Sequence, residues 1–338
     1  MKRLGLGLIG VGPGAVPHLR SLHDLREQID LRGVVTRRPQ AADLGPFSGQ
    51  IAVGSDLELL LGDPLVEAVI IATPPASHLE LAQACFARGK HVLLEKPLDI
   101  SLERARAIVV QAQRSRCLLG VVLQHRFRPA AQALAALIEQ ADLGPIQAAS
   151  VQVPWWRPQS YYDQPGRGTR ARDGGGVLIT QAIHSLDLFR SLVGVRRVVA
   201  AQVSRTRLHV METEDHVQAL LELGNGASGF LMASTAHYPG RPERIEVIGS
   251  QALAVLEGGG LRVDFFDGRP RLDIEAEGGT GSGANIMDFP HDAHRALIED
   301  FLAAIRHGRP LRVDGAQALV TQQLIEDILT AGGPMRLP

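Results

Sequence analysis

Cysteine is nearly absent. Among 338 residues there are only Cys85 and Cys117, both in apolar surroundings and without the spacing of metal ligands. Neither a disulfide framework nor a resident metal is therefore expected, and a reducing cytoplasm is the natural compartment. An excess of charge of either sign is missing too: 35 basic side chains face 36 acidic ones, for a formal net charge of -1. That balance leaves no global field to hold nucleic acid or an anionic membrane. No apolar run approaches the roughly 20 residues of a membrane span. The opening Lys2 and Arg3 lead into a stretch broken by Gly5, Gly7, Gly10, Gly12 and Pro13, unlike a signal peptide. Repeats and low-complexity tracts are lacking as well. The partner these absences leave is a small molecule.

The length fits two domains of ordinary size, and the first 120 residues or so have a regular rhythm. Leu4 to Gly10, Leu31 to Thr36, Ala68 to Ala72, His91 to Leu94 and Leu118 to Leu123 are short apolar runs. Ala76 to Arg88 and Leu102 to Arg114 have helical spacing, and Ser101 is placed to cap the second of these. Strand and helix alternating in this way imply right-handed crossovers and a doubly wound parallel sheet, with ligand at the carboxyl ends of the strands.

The first strand ends in "GLIGVGPGAVPH". Gly10, Gly12 and Ala15 fit G-x-G-x-x-G/A between a strand and a helix, where bare backbone N–H groups approach a pyrophosphate. Pro13 lies inside that turn. The second strand ends in Thr36, Arg37 and Arg38 instead of the usual acid. No carboxylate there repels a 2′-phosphate, and two guanidiniums are available to bind one, which favours NADP over NAD. The alternative is a solvated turn. In "ATPPASH", Thr73 is a donor for phosphate or ribose, Pro74 and Pro75 shape a wall for the nicotinamide side, and His78 is counted with them in the cofactor site.

A later strand ends in "LLEKPLD", and "DGGGVLITQAIHSLD" follows at 173–187. With "GVGPGAVPH" and "ATPPASH", in that order and spacing, these motifs resemble the Gfo/Idh/MocA oxidoreductase family over nearly the whole chain. The resemblance implies a Rossmann domain binding NAD(P), here 1–123, and an α+β domain with a large, mostly antiparallel open sheet supplying the substrate pocket and the assembly surface, here 124–338. It also implies action on sugars, sugar nucleotides, cyclitols or dihydrodiols. Lys96, restricted by Pro97, would stabilise negative charge on the reacting oxygen, with Glu95 holding the network beside it. His184 matches the family's acid/base histidine, and its near-neutral titration suits proton exchange with a hydroxyl.

On an α-helix, Thr180, His184 and Asp187 share a face at i, i+4 and i+7. Many polyol-oxidising relatives have Asp or Asn where this chain has Thr180. A threonine hydroxyl positions substrate but is no ionised base near neutral pH. Asp187 either orients the imidazole or is an exposed helix-face carboxylate.

Both tryptophans and two of the three tyrosines fall in "PWWRPQSYYDQPGRGTR". Trp156 and Tyr161 offer flat faces to a polyhydroxylated ring, and Arg157 and Arg167 offer donors to its hydroxyls. An oligomer interface is the competing reading. Strand-like runs recur at 147–153, 198–206, 217–223, 227–234, 243–248, 252–257 and 261–265, and Asn225-Gly226 marks a tight hairpin. Residues 280–294 read as a glycine-rich loop that covers the pocket or merely connects. Helices are expected at 294–306 and 316–331.

The sequence thus points to an NAD(P)-dependent dehydrogenase acting on CH–OH groups, assembled as a homodimer or homotetramer through the second-domain sheet. Two alternatives stand beside it: a dihydrodiol dehydrogenase, and a cofactor-binding regulator on the same fold that has lost turnover.

Overall fold

The computed structural model describes residues 2–276, 278–279, 281–283 and 289–337. The chain divides into two compact units, Met1–Gln124 with His291–Val320 and His125–Pro290 with Thr321–Pro338. The division expected from sequence, 1–123 and 124–338, differs from this in residues 291–320, which join the first unit. The cause is an amphipathic helix, Asp292–His307, that buries Leu297, Ile298, Phe301 and Leu302. It packs against the helix Val16–Asp24, where Asp24 accepts hydrogen bonds from His291 at 2.8 Å and Arg295 at 3.2 Å.

Six parallel strands form the sheet of the first unit: β1 (Leu4–Ile9), β2 (Ile29–Val35), β3 (Val53–Gly54), β4 (Ala68–Ile71), β5 (His91–Leu94) and β6 (Leu119–Val121). Their order is β3-β2-β1-β4-β5-β6. Covered on both faces, β1 and β4 are buried at every residue, which is why each reads as an unbroken apolar run and not as an alternation. The order reverses between β1 and β4, so the glycine turn after β1 stands at the switch point of the sheet. The helix Leu102–Ser115 begins where Ser101 Oγ accepts the Arg104 N–H at 3.3 Å.

Eight strands form the sheet of the second unit: β7 (Ile146–Pro154), β8 (Val195–Ser204), β9 (His216–Leu223), β10 (Ser228–Ser234), β11 (Arg244–Gly249), β12 (Ala252–Glu257), β13 (Gly260–Phe265) and β14 (Leu272–Ile274). They run in the order β14-β13-β12-β11-β7-β10-β9-β8, antiparallel throughout except for the central β7–β10 pair. Alternation decides which face is covered. Val217, Ala219, Leu221 and Leu223 of β9 and Leu231 and Ala233 of β10 are buried, while Gln218 and Leu220 between them are exposed. The helix Ile183–Val193 lies over the covered face against β7, with Ile183, Leu186 and Phe189 buried. The expected turn at Asn225-Gly226 closes the β9–β10 hairpin, with Leu223 N–H donating to Ala227 O at 2.9 Å.

Two strands lie outside the expected set: β3 spans 2 residues and β14 spans 3, too short to make a periodic signal. The loop reading at 280–294 falls partly on Thr280 and residues 284–288, outside the described residues, and its last residues, Asp292 onward, are helical. Among the described residues no helix is long and apolar enough to cross a membrane.

Phe189 is among the largest fully buried side chains, so Phe189→Ala should destabilise the protein by about 3–5 kcal/mol through lost transfer energy and the residual cavity. Urea unfolding followed by tryptophan fluorescence measures this. A loss below about 1 kcal/mol would show that the helix over the sheet is not part of its core.

Candidate active site

The turn after β1 has the form a phosphate requires. Gly10 lies at φ +95°, and a Cβ there would stand 2.7 Å from Ala72 O, so glycine is needed for conformation and space alike. At Gly12 nothing comes within 4 Å of the position a Cβ would take, which leaves the backbone open to a ligand. Pro13–Ala15 makes one tight turn, closed by Ala15 N–H on Gly12 O at 2.8 Å, and feeds the helix Val16–Asp24. This open turn at a helix start fits a dinucleotide pyrophosphate. Beyond β2, Thr36 is half-buried and Arg37 and Arg38 are exposed.

The "ATPP" and "EKP" turns are braced together. His78 is buried, with Nε2 3.0 Å from Thr73 O and Nδ1 3.0 Å from Pro97 O and 3.2 Å from Leu98 O. Burial holds its imidazole below the usual histidine range. Counted from sequence with the cofactor site, His78 instead ties one turn to the other, because its ring nitrogens face backbone carbonyls and not a surface. Ser77 Oγ donates to Thr73 Oγ1 at 2.9 Å and so orients that hydroxyl; Pro74 is exposed.

Glu95 is the hinge of the second turn. One carboxylate oxygen lies 2.7 Å from His18 Nε2, and the other accepts the backbone N–H of Lys96 at 3.2 Å. The buried His18 ring meets His294 edge-on at 5.5 Å. Burial works to raise the Glu95 carboxyl, but the His18 hydrogen bond and the charges of His18, His294 and Lys96 hold it below its ordinary 4.5. The half-buried Lys96 thus leaves a strand end whose backbone is fixed by an ionised neighbour.

In the second unit the expected one-face helix is broken. Leu178–Ala182 is a π-helical turn that precedes the helix Ile183–Val193, a local widening that re-aims the side chains it carries. Thr180 Oγ1 donates at 2.5 Å to Gly176 O, the carbonyl that also accepts the Thr180 N–H at 3.1 Å, and touches the Gln181 side-chain oxygen. From Gln181 a polar line continues: Gln181 Nε2 donates to the Tyr161 hydroxyl at 3.3 Å, and Arg167 Nη1 donates to the same oxygen at 3.0 Å. The Arg167 guanidinium also lies 4.7 Å over the Tyr161 ring. Three residues that the sequence named separately for the substrate, Thr180, Tyr161 and Arg167, are thus brought together through a glutamine that sequence reasoning passed over.

Arg157 does something else. Its Nη1 donates to Trp156 O and Gly283 O, both at 2.7 Å, and its Nη2 donates to Gly281 O at 2.9 Å. The guanidinium expected to meet substrate hydroxyls is buried and committed to backbone carbonyls at 281–283. Trp156 is half-buried, edge-on to Tyr238 at 5.4 Å.

His184 is 8 % exposed and stacks on His125 with centroids 5.1 Å apart and an interplanar angle of 29°. Asp187 neither orients that imidazole nor faces solvent. Fully buried, it accepts from Arg126 through both oxygens at 2.6 and 2.7 Å, from the Thr321 hydroxyl at 2.7 Å and from Arg190 at 3.5 Å. The segment Gln124–Phe127 thus supplies a ring against His184 and a guanidinium to its helix, and only a cluster of polar residues between a strand and Pro129 could have marked it. Among the described residues no group of three or more side chains is arranged to hold a metal ion.

Two family models match the chain. Residues 4–123 match the family model described as an oxidoreductase family with an NAD-binding Rossmann fold, and residues 131–255 match the GFO/IDH/MocA C-terminal domain. A 1,5-anhydro-D-fructose reductase of Ensifer adhaerens is 34% identical over 79% of this chain and 78% of its own length. An inositol 2-dehydrogenase of Rhizobium meliloti is 25% identical over 95% of this chain and 94% of its own. The WlbA dehydrogenase of Bordetella pertussis, solved with NADH and UDP-GlcNAcA, superposes with a TM-score of 0.84 at 25% identity, covering 98% of this chain and 97% of that one.

A carboxyl depressed in the fold contributes stability that is present above its unfolded value and lost as the pH falls through the folded one. For Glu95 that loss lies below pH 4.5. Glu95→Gln should therefore flatten the acid limb of thermal stability, its Tm falling less than the wild type's between about pH 6 and pH 3. Equal slopes in differential scanning fluorimetry would mean that Glu95 is not held ionised by its neighbours.

Proposed function

The chain belongs to the Gfo/Idh/MocA oxidoreductase family, and from that premise we propose that it transfers a hydride between NAD(P) and a secondary hydroxyl or ketone of a sugar, sugar nucleotide or cyclitol. The observation that carries this reading is the polar line that runs from Thr180 and Gln181, on the segment that leads into His184, to Tyr161 and Arg167. Amide, phenol, hydroxyl and guanidinium in succession suit a ligand with several hydroxyls and little apolar surface. The names of the relatives, a reductase of an anhydrosugar and an inositol dehydrogenase, support the same substrate class.

Gly10, Gly12, Pro13 and Ala15 would hold the pyrophosphate, Thr73 the ribose or phosphate, and Arg37 and Arg38 the adenosine side. When bound, the nicotinamide supplies the hydride-exchanging carbon. Lys96 donates a hydrogen bond to the oxygen of the reacting carbon and stabilises the charge that develops there. His184 takes up or returns the hydroxyl proton. Thr180, whose hydroxyl is oriented by Gly176 O, positions a substrate hydroxyl. Trp156 offers a face for the ring.

Assembly as a homodimer or homotetramer through the outer face of the second sheet is part of the same proposal. That face carries exposed Leu220 and Ile248 and half-buried Phe230 and Met232, more apolar surface than a solvated sheet face needs.

Lys96→Met should nearly abolish turnover while leaving cofactor affinity much less affected, because the ammonium acts on charge formed in the transition state. His184→Ala should lower kcat and remove one limb of its pH profile. A cofactor-reduction screen across polyols, sugar nucleotides and dihydrodiols, followed by both variants on the best substrate, decides the matter. Near-wild-type rates in either variant would contradict the assigned role.

The exposed arginines after β2 give the cofactor preference its test. Replacing Arg37 and Arg38 together with alanine should raise the Kd for NADP far more than that for NAD. Equal changes for both cofactors in titration calorimetry would remove the reason to prefer NADP.

A further inference from the structure

The carboxylate that holds the start of the His184 segment comes from a distant part of the chain. Glu214, just before β9, is buried. Its side chain accepts the Gly176 N–H at 3.1 Å and the Leu178 N–H at 3.3 Å, while its backbone carbonyl accepts the Val177 N–H at 2.9 Å. Three successive donors that open the helical run, otherwise orphaned, are taken by one residue. Close approach is what requires glycine: a Cβ on Gly176 would stand 1.9 Å from Glu214 O and 2.7 Å from the carboxylate carbon. The carboxylate, its contact distance and the missing side chain form one fitted clasp.

We propose that Glu214 is a positioning residue of the proposed reaction: its ionised carboxylate draws in the N–H groups of Gly176 and Leu178 and thereby fixes the turn from which Thr180 and His184 are presented. The Gly176 carbonyl that receives the Thr180 hydroxyl belongs to the same peptide chain segment, so a shift at the clasp moves the threonine directly. This inference rests on the catalytic reading of His184 given above.

The clasp is sensitive to pH. Burial pushes the Glu214 carboxyl up to about 7, against the opposing pull of its own backbone N–H, of the Leu178 and Gly176 N–H groups and of the charge of Arg170. Arg170 is a weak counter-charge because its side chain is 67% exposed and lies 3.8 Å from Glu212. Asp173, on the same short helix, gives its carboxylate to the Gly168 N–H at 2.8 Å, and Asp215, next in the chain, is engaged by His209 and Thr206. An acid whose folded value is raised contributes stability fully present below its unfolded value and lost as the pH rises through the folded one. The window for Glu214 runs from 4.5 to about 7. Ionisation therefore tightens the helix start at the expense of global stability.

The test needs no substrate for its first arm. In full-length protein with selectively labelled glycine and leucine, the Gly176 and Leu178 amide resonances should titrate together with a midpoint near pH 7, and in Glu214→Gln both should be flat. Its second arm is turnover: Glu214→Gln should lose about ten- to a hundredfold in kcat, as expected when a reacting group is misplaced by a fraction of an ångström to an ångström. The KM for the cofactor should stay near the wild-type value. Glu214→Asp, which keeps the charge on a shorter arm, should retain the amide titration with a displaced midpoint and recover part of the turnover; it also serves if the glutamine variant fails to fold. Amides that do not titrate in the wild type, or a glutamine variant with full turnover, would overturn the proposal. Full turnover in His184→Ala would instead overturn the catalytic reading while leaving the amide titration intact, so the two failures are distinguishable.

Discussion

A carboxylate without exposed surface, such as Asp187, is tolerable only when cations and donors close around it. Arg126, Arg190 and Thr321 do so from three separate stretches of the second unit. Because the Arg126 pair is bidentate, the helix Ile183–Val193 cannot rotate about its axis without breaking two charge-assisted bonds at once. That restraint fixes the direction in which His184 points. It also fixes His125, the residue before Arg126, whose ring lies on the His184 imidazole. At the opposite end of the same run Glu214 holds the first N–H groups. Two acids of opposite character, one paired with cations and one with backbone, anchor a segment that contains a π-turn and would otherwise be free to settle into regular helix.

The first unit uses the same economy on a smaller scale. Its turns lie at strand ends, where no ladder hydrogen bonds remain to hold them, and buried side chains take over that task. His78 links the Thr73 turn to the Pro97 turn, and Glu95 with His18 holds the peptide that carries Lys96. Rigid backing of this kind lets a lysine at a strand end keep its backbone direction.

The architecture was legible because its signals are local. Apolar runs of β1 and β4, the Ser101 cap, the Asn225-Gly226 hairpin and the alternation of β9 each depend on residues within one element. The motifs around Gly10, Lys96 and His184 could be located for the same reason. What escaped depends on pairs far apart in the chain. Asp187 meets Arg126 61 residues before it and Thr321 134 residues after it, and Glu214 meets Gly176 38 residues before it. No spacing rule reaches across such distances. Arg157 and His78 show the complementary problem: residue type alone cannot tell whether a donor will face a ligand or a backbone carbonyl. The return of residues 291–320 to the first unit left no trace in composition, since an amphipathic helix says which face it buries but not against what.

That return leaves residues 125–290 between the two stretches of the first unit, with a consequence for synthesis. When the ribosome has made Gln124, the first unit still lacks the helix Asp292–His307, whose Phe301 and the nearby Leu311 pack over Gly120. At roughly 5–20 residues per second, the intervening stretch keeps that surface waiting on the order of 10 to 30 s. During that interval β6 and the helix Val16–Asp24 display apolar area that the finished protein hides. The nascent chain therefore carries uncovered apolar surface in its first half until that helix is made, and the second unit in turn waits for Thr321–Pro338, whose Thr321 hydroxyl closes on Asp187.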